Sequence, residues 1–361
     1  AAATAAAAAG SKRQEAGGRQ QAAGMVSPIS PRLLSLLAAL TAYAIAFAGA
    51  LPDIGWPSSL EFIKDAPDDE VFPFLEPIMN MTTAVYVCTF GAYKNESKCE
   101  RWRHVQGWEQ DPLESDPECG GMRALVYRQP DRKRGVIVFR GTDLHPELGV
   151  SGRADSCNNE MMSKDPDAPV PHRCQEFTAR MIDYTSRALD FAHKVHEAYP
   201  DHDWLYTGHS LGATLAEEVA LARGKLSLNF AAGGMKFLLK SRLHLDLPAV
   251  PEWQVVSLYH PWDPIYMHAL GDSVGARCLW SKAETENCKA CYVPGWPPTG
   301  PSPVCDACFQ ETHMWRHYIH FLWAKQRPSC KLADASLLER GKKCRTASGR
   351  LKPCARGGLF M

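Results

Sequence analysis

The chain has 361 residues, 45% of them hydrophobic, with 40 Lys and Arg balancing 40 Asp and Glu. That length supports one substantial core, and the balanced charge removes a global field that would favour nucleic acid or an acidic partner. Thirteen cysteines point to an oxidising compartment, and their odd number leaves at least one thiol unpaired or paired between chains.

Residues 1–24 are rich in Ala, Gly and Gln without apolar periodicity, and read as a disordered leader or an artefact of the gene model. Met25 then opens a segment in which Arg32 precedes a mostly apolar run, Leu33 to Ala50. Residues 25–50 therefore read as a signal peptide, with small-x-small cleavage options near Ala48 and Ala50, or as a retained signal anchor. Asn80-Met81-Thr82 and Asn95-Glu96-Ser97 are glycosylation sequons. These features place the protein in the secretory pathway. It would be secreted or enter a vacuolar or lysosomal lumen, or stay a single-pass membrane protein anchored by residues 33–50.

Pro52 to Pro77 is Pro-rich and acidic, which suits a surface entry segment, and Asn80 to Phe90 is apolar and helical in pattern. Arg123 to Arg128 and Gly135 to Arg140 read as successive strands. Asp143 to His172 is long and polar, as expected of a functional or lid-like insertion. Cys174 to Tyr199 carries apolar residues at spacings of three and four, so a helix is expected there. Asp203 to Tyr206 reads as a strand, Leu211 to Arg223 as a helix and Trp253 to Tyr259 as a late strand. This alternation predicts an α/β fold with a mainly parallel sheet flanked by helices.

Between that strand and helix lies TGHSLGA, Thr207 to Ala213. A G-x-S-x-G in this context is the nucleophile elbow of an α/β-hydrolase, with Ser210 exposed on a tight turn. The chain order of such sites is nucleophile, acid, histidine. Asp263, directly after the late strand, is the first candidate for the acid, with Asp272 behind it. His313, His317 and His320 all fall in HMWRHYIHFLW; His317 is preferred as the base because its surroundings suggest a loop-to-helix junction. The Leu211 N–H and Thr142, at the end of GVIVFRGT, are the candidate oxyanion donors. This chemistry requires no metal or organic cofactor.

VIVFRGT at Val136 to Thr142, together with TGHSLGA, resembles the class 3 (fungal-type) lipase family. NFAAGGMKFLLKSRLHL at Asn229 to Leu245, SLYHPWDPIYMH at Ser257 to His268 and His317-Tyr318-Ile319 are most similar to the vacuolar lipases that break down autophagic bodies. The resemblance spans about His104 to Leu322. It implies a Ser210, Asp263, His317 triad with Thr142 and Leu211 lining the oxyanion hole. It further implies hydrolysis of triacylglycerol or phospholipid esters through an acyl-enzyme, with lipid at an interface as the partner. The alternatives are a soluble esterase for small esters and a catalytically inactive lipid-binding relative.

The lipase-like domain is expected over 51–330, with a Cys-rich segment at 278–308 and a basic, disordered tail over 331–361. In that segment Cys288-x2-Cys291 and Cys305-x2-Cys308 have spacing a four-thiolate zinc site accepts, but behind a secretory signal disulfides are favoured. Trp253, Trp262, Trp280, Trp296, Trp315 and Trp323 crowd the C-terminal half. Most are expected in the core, and a minority in an apolar rim facing lipid.

Overall fold

The computed structural model describes residues 56–89, 94–113, 115, 121–143, 150–162, 169–177, 183–234, 250–263, 265–266, 274–281, 286–291, 303–332, 343–345 and 351–353. The expected leader and apolar segment over 1–50, the Arg242 to Leu245 run, Asp272 and Trp296 lie outside these residues.

Eight strands form one sheet in which spatial order follows chain order. They are β1 (Glu109–Gln110), β2 (Ala124–Gln129), β3 (Arg134–Phe139), β4 (Asp203–His209), β5 (Leu226–Phe230), β6 (Val255–Tyr259), β7 (Ala276–Leu279) and β8 (Ser329–Leu332). Strands β3 to β7 are parallel, while β1, β2 and β8 are antiparallel at the two sides. Strand β8 carries the sheet to Leu332, two residues past the expected boundary at 330. Short strands β9 (Lys343–Arg345) and β10 (Leu351–Pro353) pair within the segment expected to be a disordered tail.

Alternating side chains bury both faces of the sheet, as a parallel sheet requires. Along β3, Val136 and Val138 enter one core while Ile137 and Phe139 enter the other. The first core is covered by α2 (Asp68–Cys88) and α9 (Trp315–Trp323), the second by α5 (Tyr184–Ala198) and α6 (Leu211–Arg223). The remaining helices are α1 (Phe62–Asp65), α3 (Glu96–Arg103), α4 (Val150–Met162), α7 (Glu286–Cys291) and α8 (Pro303–Thr312). A mostly parallel sheet with helices on both faces and a serine turn after β4 is the α/β-hydrolase fold that the sequence pattern predicts.

Two expectations about local structure are corrected. The Pro-rich 52–77 segment is not merely a surface entry, because α2 begins at Asp68 and buries Val71, Phe72 and Leu75. Pro73 and Pro77 lie inside that helix, where burial of the apolar face offsets the backbone bonds that proline forfeits. By length and composition α2 could cross a membrane, yet 67% of its apolar window is buried, which makes it a core helix. The helix expected from Cys174 starts instead at Tyr184, where the Asp183 side chain accepts the Ser186 N–H as an N-cap. His172–Cys174 forms only a single 3-10 turn.

Among the described residues, four disulfides with both partners placed tie outlying segments to this frame. Cys88–Cys99 joins α2 to α3, Cys157–Cys174 closes the insertion after β3, and Cys278–Cys330 links β7 to β8. Cys288–Cys308 joins one cysteine from each C-x2-C pair, and Cys305 is also disulfide-bonded. Cys288, Cys305 and Cys308 of these two pairs are thus oxidised in this structure.

Candidate active site

The sharpest backbone departure in the site falls on Ser210, with φ 58° and ψ −126° between β4 and α6. This is a costly conformation for a residue with a side chain, and it persists only because the surroundings impose it. One such constraint is the Ser210 N–H, which donates to the Phe230 carbonyl of β5 at 3.0 Å. The two motif glycines permit the closeness of strand and helix. A Cβ on Gly208 would lie 2.4 Å from the Gly212 backbone, and one on Gly212 would lie 2.2 Å from the Phe139 oxygen.

His313 occupies the break between α8 and α9, and its ring bridges the serine to a carboxylate. Its Nε2 lies 2.9 Å from Ser210 Oγ, and its Nδ1 lies 3.0 and 2.9 Å from the two oxygens of Asp263. Asp263 is fully buried immediately after β6. Its remaining capacity is filled by the Ile265 N–H, which donates to Oδ1 at 2.8 Å, and by the Tyr318 hydroxyl, which donates to Oδ2 at 2.8 Å. Burial and the nearby carboxylate push the Tyr318 hydroxyl well above the ordinary tyrosine range, so it remains a donor.

The expectation for His317 is corrected by this geometry. His317 sits one turn into α9, half-buried, with its Nε2–H donating to the Gln310 carbonyl at 2.9 Å. His320 is exposed on the following turn. The loop-to-helix junction invoked for His317 does exist, but it lies four residues earlier.

His209, the x before serine in the motif, is buried and holds the two halves of the site together. Its Nε2–H donates to the His313 carbonyl at 2.6 Å, and its Nδ1 accepts from the Tyr86 hydroxyl at 2.8 Å. Acceptance at Nδ1 needs a neutral ring, and burial lowers its pKa well below the usual histidine value, with the His313 ring lowering it further.

Thr142 follows β3 and lines the same pocket as Ser210, together with Tyr86, His313, Met314 and Trp315. The Leu211 N–H belongs to the first turn of α6, whose amides have no acceptor within the helix. Helix α4 secures the Thr142 loop. Asn159 Nδ2 donates to Thr142 Oγ1 at 2.8 Å. Asp155 pairs with Arg140 at 3.1 Å and accepts from the Asp143 N–H at 2.7 Å and the Tyr184 hydroxyl at 2.6 Å. Much of the insertion expected to be lid-like is thus fastened by a buried ion pair and a disulfide. Burial raises the Asp155 pKa and the Arg140 guanidinium opposes that rise.

His209, Tyr318, Tyr86, Asp155 and Asn159 were not foreseen. The first two stood beside foreseen residues in sequence, whereas the other three carry no sequence signal. Of the two sequons, Asn95 is exposed and caps α3, while Asn80 lies half-buried inside α2, a poor place for a glycan. Among the described residues, no group of three or more His, Cys, Asp or Glu is placed to hold a metal ion.

A hydroxyl, imidazole and buried carboxylate in one hydrogen-bonded line are suited to acyl transfer. No protein-family model matches the chain. Curated relatives named "Putative lipase ATG15" do. The Eremothecium gossypii protein is 28% identical over 227 residues, covering 55% of this chain and 42% of that protein. The Mycosarcoma maydis protein is 28% identical over 219 residues, covering 53% and 41%. This chain is similar to the ATG15 lipases. The aligned part spans less than half the length of these relatives. Among solved structures, nonglycosylated Yarrowia lipolytica LIP2 lipase aligns at a TM-score of 0.39 and 16% identity, covering 60% of this chain and 81% of that one. The lipase from Rhizopus microsporus var. chinensis aligns at 0.38 and 13%, covering 66% and 83%. The fold assignment rests on the strand order and the serine turn rather than on these partial superpositions.

Proposed function

We propose that this protein is a serine hydrolase cleaving the carboxylic esters of glycerolipids, with Ser210 as nucleophile, His313 as base and Asp263 as the orienting acid. The observation that carries the reading is the unbroken line from Ser210 Oγ through the His313 ring to the buried Asp263 carboxylate. On attack, the Ser210 oxygen bonds to the ester carbonyl carbon while His313 Nε2 takes the hydroxyl proton. The developing oxyanion is met by the Leu211 N–H and by Thr142. Collapse returns the proton from His313 to the departing glycerol oxygen and leaves an acyl-enzyme. Water, activated by the same imidazole, then releases the fatty acid and restores Ser210.

The names of the relatives support lipid rather than a small soluble ester. Triacylglycerol and membrane phospholipid are both in scope, and the likeness to lipases of autophagic bodies favours including phospholipid membranes in the assay. The disulfides among the described residues support passage through an oxidising compartment, with the lumen of a vacuole or lysosome as the proposed destination. Anchoring by residues 33–50 remains part of that proposal.

The test uses the full chain, expressed through a secretory pathway and treated with a fluorophosphonate probe. Labelling should be lost in Ser210→Ala, strongly reduced in His313→Ala and retained in His317→Ala. Retention in His313→Ala with loss in His317→Ala would overturn the assignment of the base. An unlabelled but folded wild-type protein would overturn the hydrolase reading. Faster turnover of emulsified or vesicle lipid than of a short soluble ester completes the lipase assignment.

A further inference from the structure

Helix α9 has two faces of different character. Tyr318, Ile319, Phe321 and Leu322 are buried in the core, whereas Arg316, His320 and Trp323 form an exposed stripe at i, i+4 and i+7. Trp323 is 51% exposed, and only one other large hydrophobic residue among those described, Leu332, is comparably open. Trp323 stacks on Trp102 of α3, with ring centroids 6.0 Å apart and planes inclined by 11°. Core packing alone does not call for an indole at this exposed place.

The charge around the stacked pair is mostly positive. Helix α3 exposes Lys98, Arg101 and Arg103, and α9 adds Arg316. The Arg101 guanidinium lies 5.7 Å from the centre of the Trp102 ring. The carboxylates on α3 are engaged: Glu96 pairs with Lys94, and Glu100 pairs with Arg103 and His104. Lys325, just beyond α9, pairs with Glu76. No ion pair among the described residues engages Lys98, Arg101 or Arg316.

The patch is continuous with the candidate site. Trp315, the first residue of α9, lines the pocket over Ser210 and stacks on Tyr86 at 6.0 Å. Trp323 lies eight residues further along, about 12 Å down the helix axis at 1.5 Å per residue. Indole rings settle at the headgroup level of a bilayer, and neighbouring cations add attraction to anionic lipid.

We propose that the exposed faces of α9 and α3, centred on Trp323 and Trp102, form a docking surface for a bilayer bearing anionic phospholipid. The surface holds the pocket against the membrane whose lipids the enzyme cleaves, and in that respect it rests on the hydrolase reading. Of the tryptophans in the C-terminal half, Trp323 is then the rim member, joined by Trp102 of α3, while Trp253 and Trp280 are buried in the core.

The test is sedimentation of the full chain with phosphatidylcholine vesicles, with and without phosphatidylserine. The wild-type protein should partition more strongly onto the anionic vesicles. Arg316→Gln should weaken that preference about fivefold, the value of one cation near an anionic surface. Trp323→Ser should weaken binding several-fold to both vesicle types. Neither variant should change fluorophosphonate labelling or turnover of a soluble ester. Equal partitioning of wild type and both variants would overturn the proposal. So would a concentration-dependent dimer that Trp323→Ser dissolves without altering vesicle binding, which would assign the stack to a contact between copies. Failure of the hydrolase reading would show separately, as an unlabelled protein that still binds vesicles.

Discussion

Glu217 provides a quantitative check on the buried polar structure beneath the sheet. It lies in α6, two turns beyond Ser210, fully enclosed between the helix and strands β5 and β6. Its Oε1 accepts from the Ser257 hydroxyl at 2.5 Å and from Asn229 Nδ2 at 3.4 Å, while Oε2 has no hydrogen-bond partner. Burial, assisted by the neighbouring Glu218 carboxylate, raises its pKa from 4.5 to about 8. The folded state therefore holds a proton that the unfolded chain releases near pH 4.5. The stabilisation linked to that proton is fully present below pH 4.5 and is lost as pH rises toward 8. A rise of 8 − 4.5 = 3.5 units, at about 1.4 kcal/mol per unit, corresponds to roughly 5 kcal/mol as an upper bound.

The perturbation is Glu217→Gln, which preserves shape and the acceptor facing Ser257 but removes the titration. Urea unfolding of wild type and variant, with disulfides intact, should be compared at half-unit steps from pH 4.5 to 8. Wild-type stability should decline across the interval with a slope approaching 1.4 kcal/mol per pH unit. The variant curve should be flatter, so that the difference between the two shifts in favour of the variant by up to about 5 kcal/mol at the alkaline end. The variant is modestly less stable at the acidic end, because its amide carries two unpaired N–H groups where the protonated carboxyl carries one O–H. Parallel curves would refute the claim that Glu217 is protonated in the folded protein. A positive result would mean that this fold gains stability under the acidic conditions of the compartment proposed for it.

Two other perturbations probe the site. Tyr318→Phe removes one donor from the Asp263 carboxylate while leaving the ring in place. With about 1.5 kcal/mol of a charge-assisted bond lost in orienting His313, kcat should fall about tenfold with KM little changed, and an unaltered kcat would deny Tyr318 a positioning role. Arg140→Met leaves the Asp155 carboxylate buried without its cation, which should cost about 3 to 5 kcal/mol of stability above neutral pH. Partial recovery at acidic pH is expected, where Asp155 can take up a proton, and thermal unfolding across pH reads both effects.

The sheet and the serine turn were legible because they rest on local rules. Alternation along Val136 to Phe139, glycines on either side of Ser210 and an Ala- and Leu-rich helix after it each carry their own signal. The position of Asp263 past the late strand was legible because few other carboxylates follow a late strand so closely. Helix α2 was misjudged because prolines and acidic residues are surface signals locally, whereas Val71, Phe72 and Leu75 acquire a partner only when the sheet exists. Asp155 and Asn159 were not legible, since their roles depend on α4 folding back over the end of β3, a contact with no periodicity to announce it.

The choice among the three histidines shows why local signals stop short. Nothing in Gln310 to Trp315 contains a glycine or proline to mark a helix break, so sequence alone permits one continuous helix with His313, His317 and His320 along it. The aromatic and apolar residues around His317 suggest a loop-to-helix junction at that position, and nothing local moves the junction back to His313. The break is instead fixed by tertiary contacts. The His209 ring takes the His313 carbonyl as its acceptor, and the fixed Asp263 carboxylate draws the His313 ring toward Ser210. The His313 carbonyl accepts from His209 while the His317 N–H donates to the Met314 carbonyl, and the chain turns there and restarts at Trp315. The residue that precedes Ser210 in the motif thereby holds His313, rather than His317 or His320, at the serine. Which of the three histidines faces Ser210 is thus a property of the assembled sheet end rather than of the C-terminal segment.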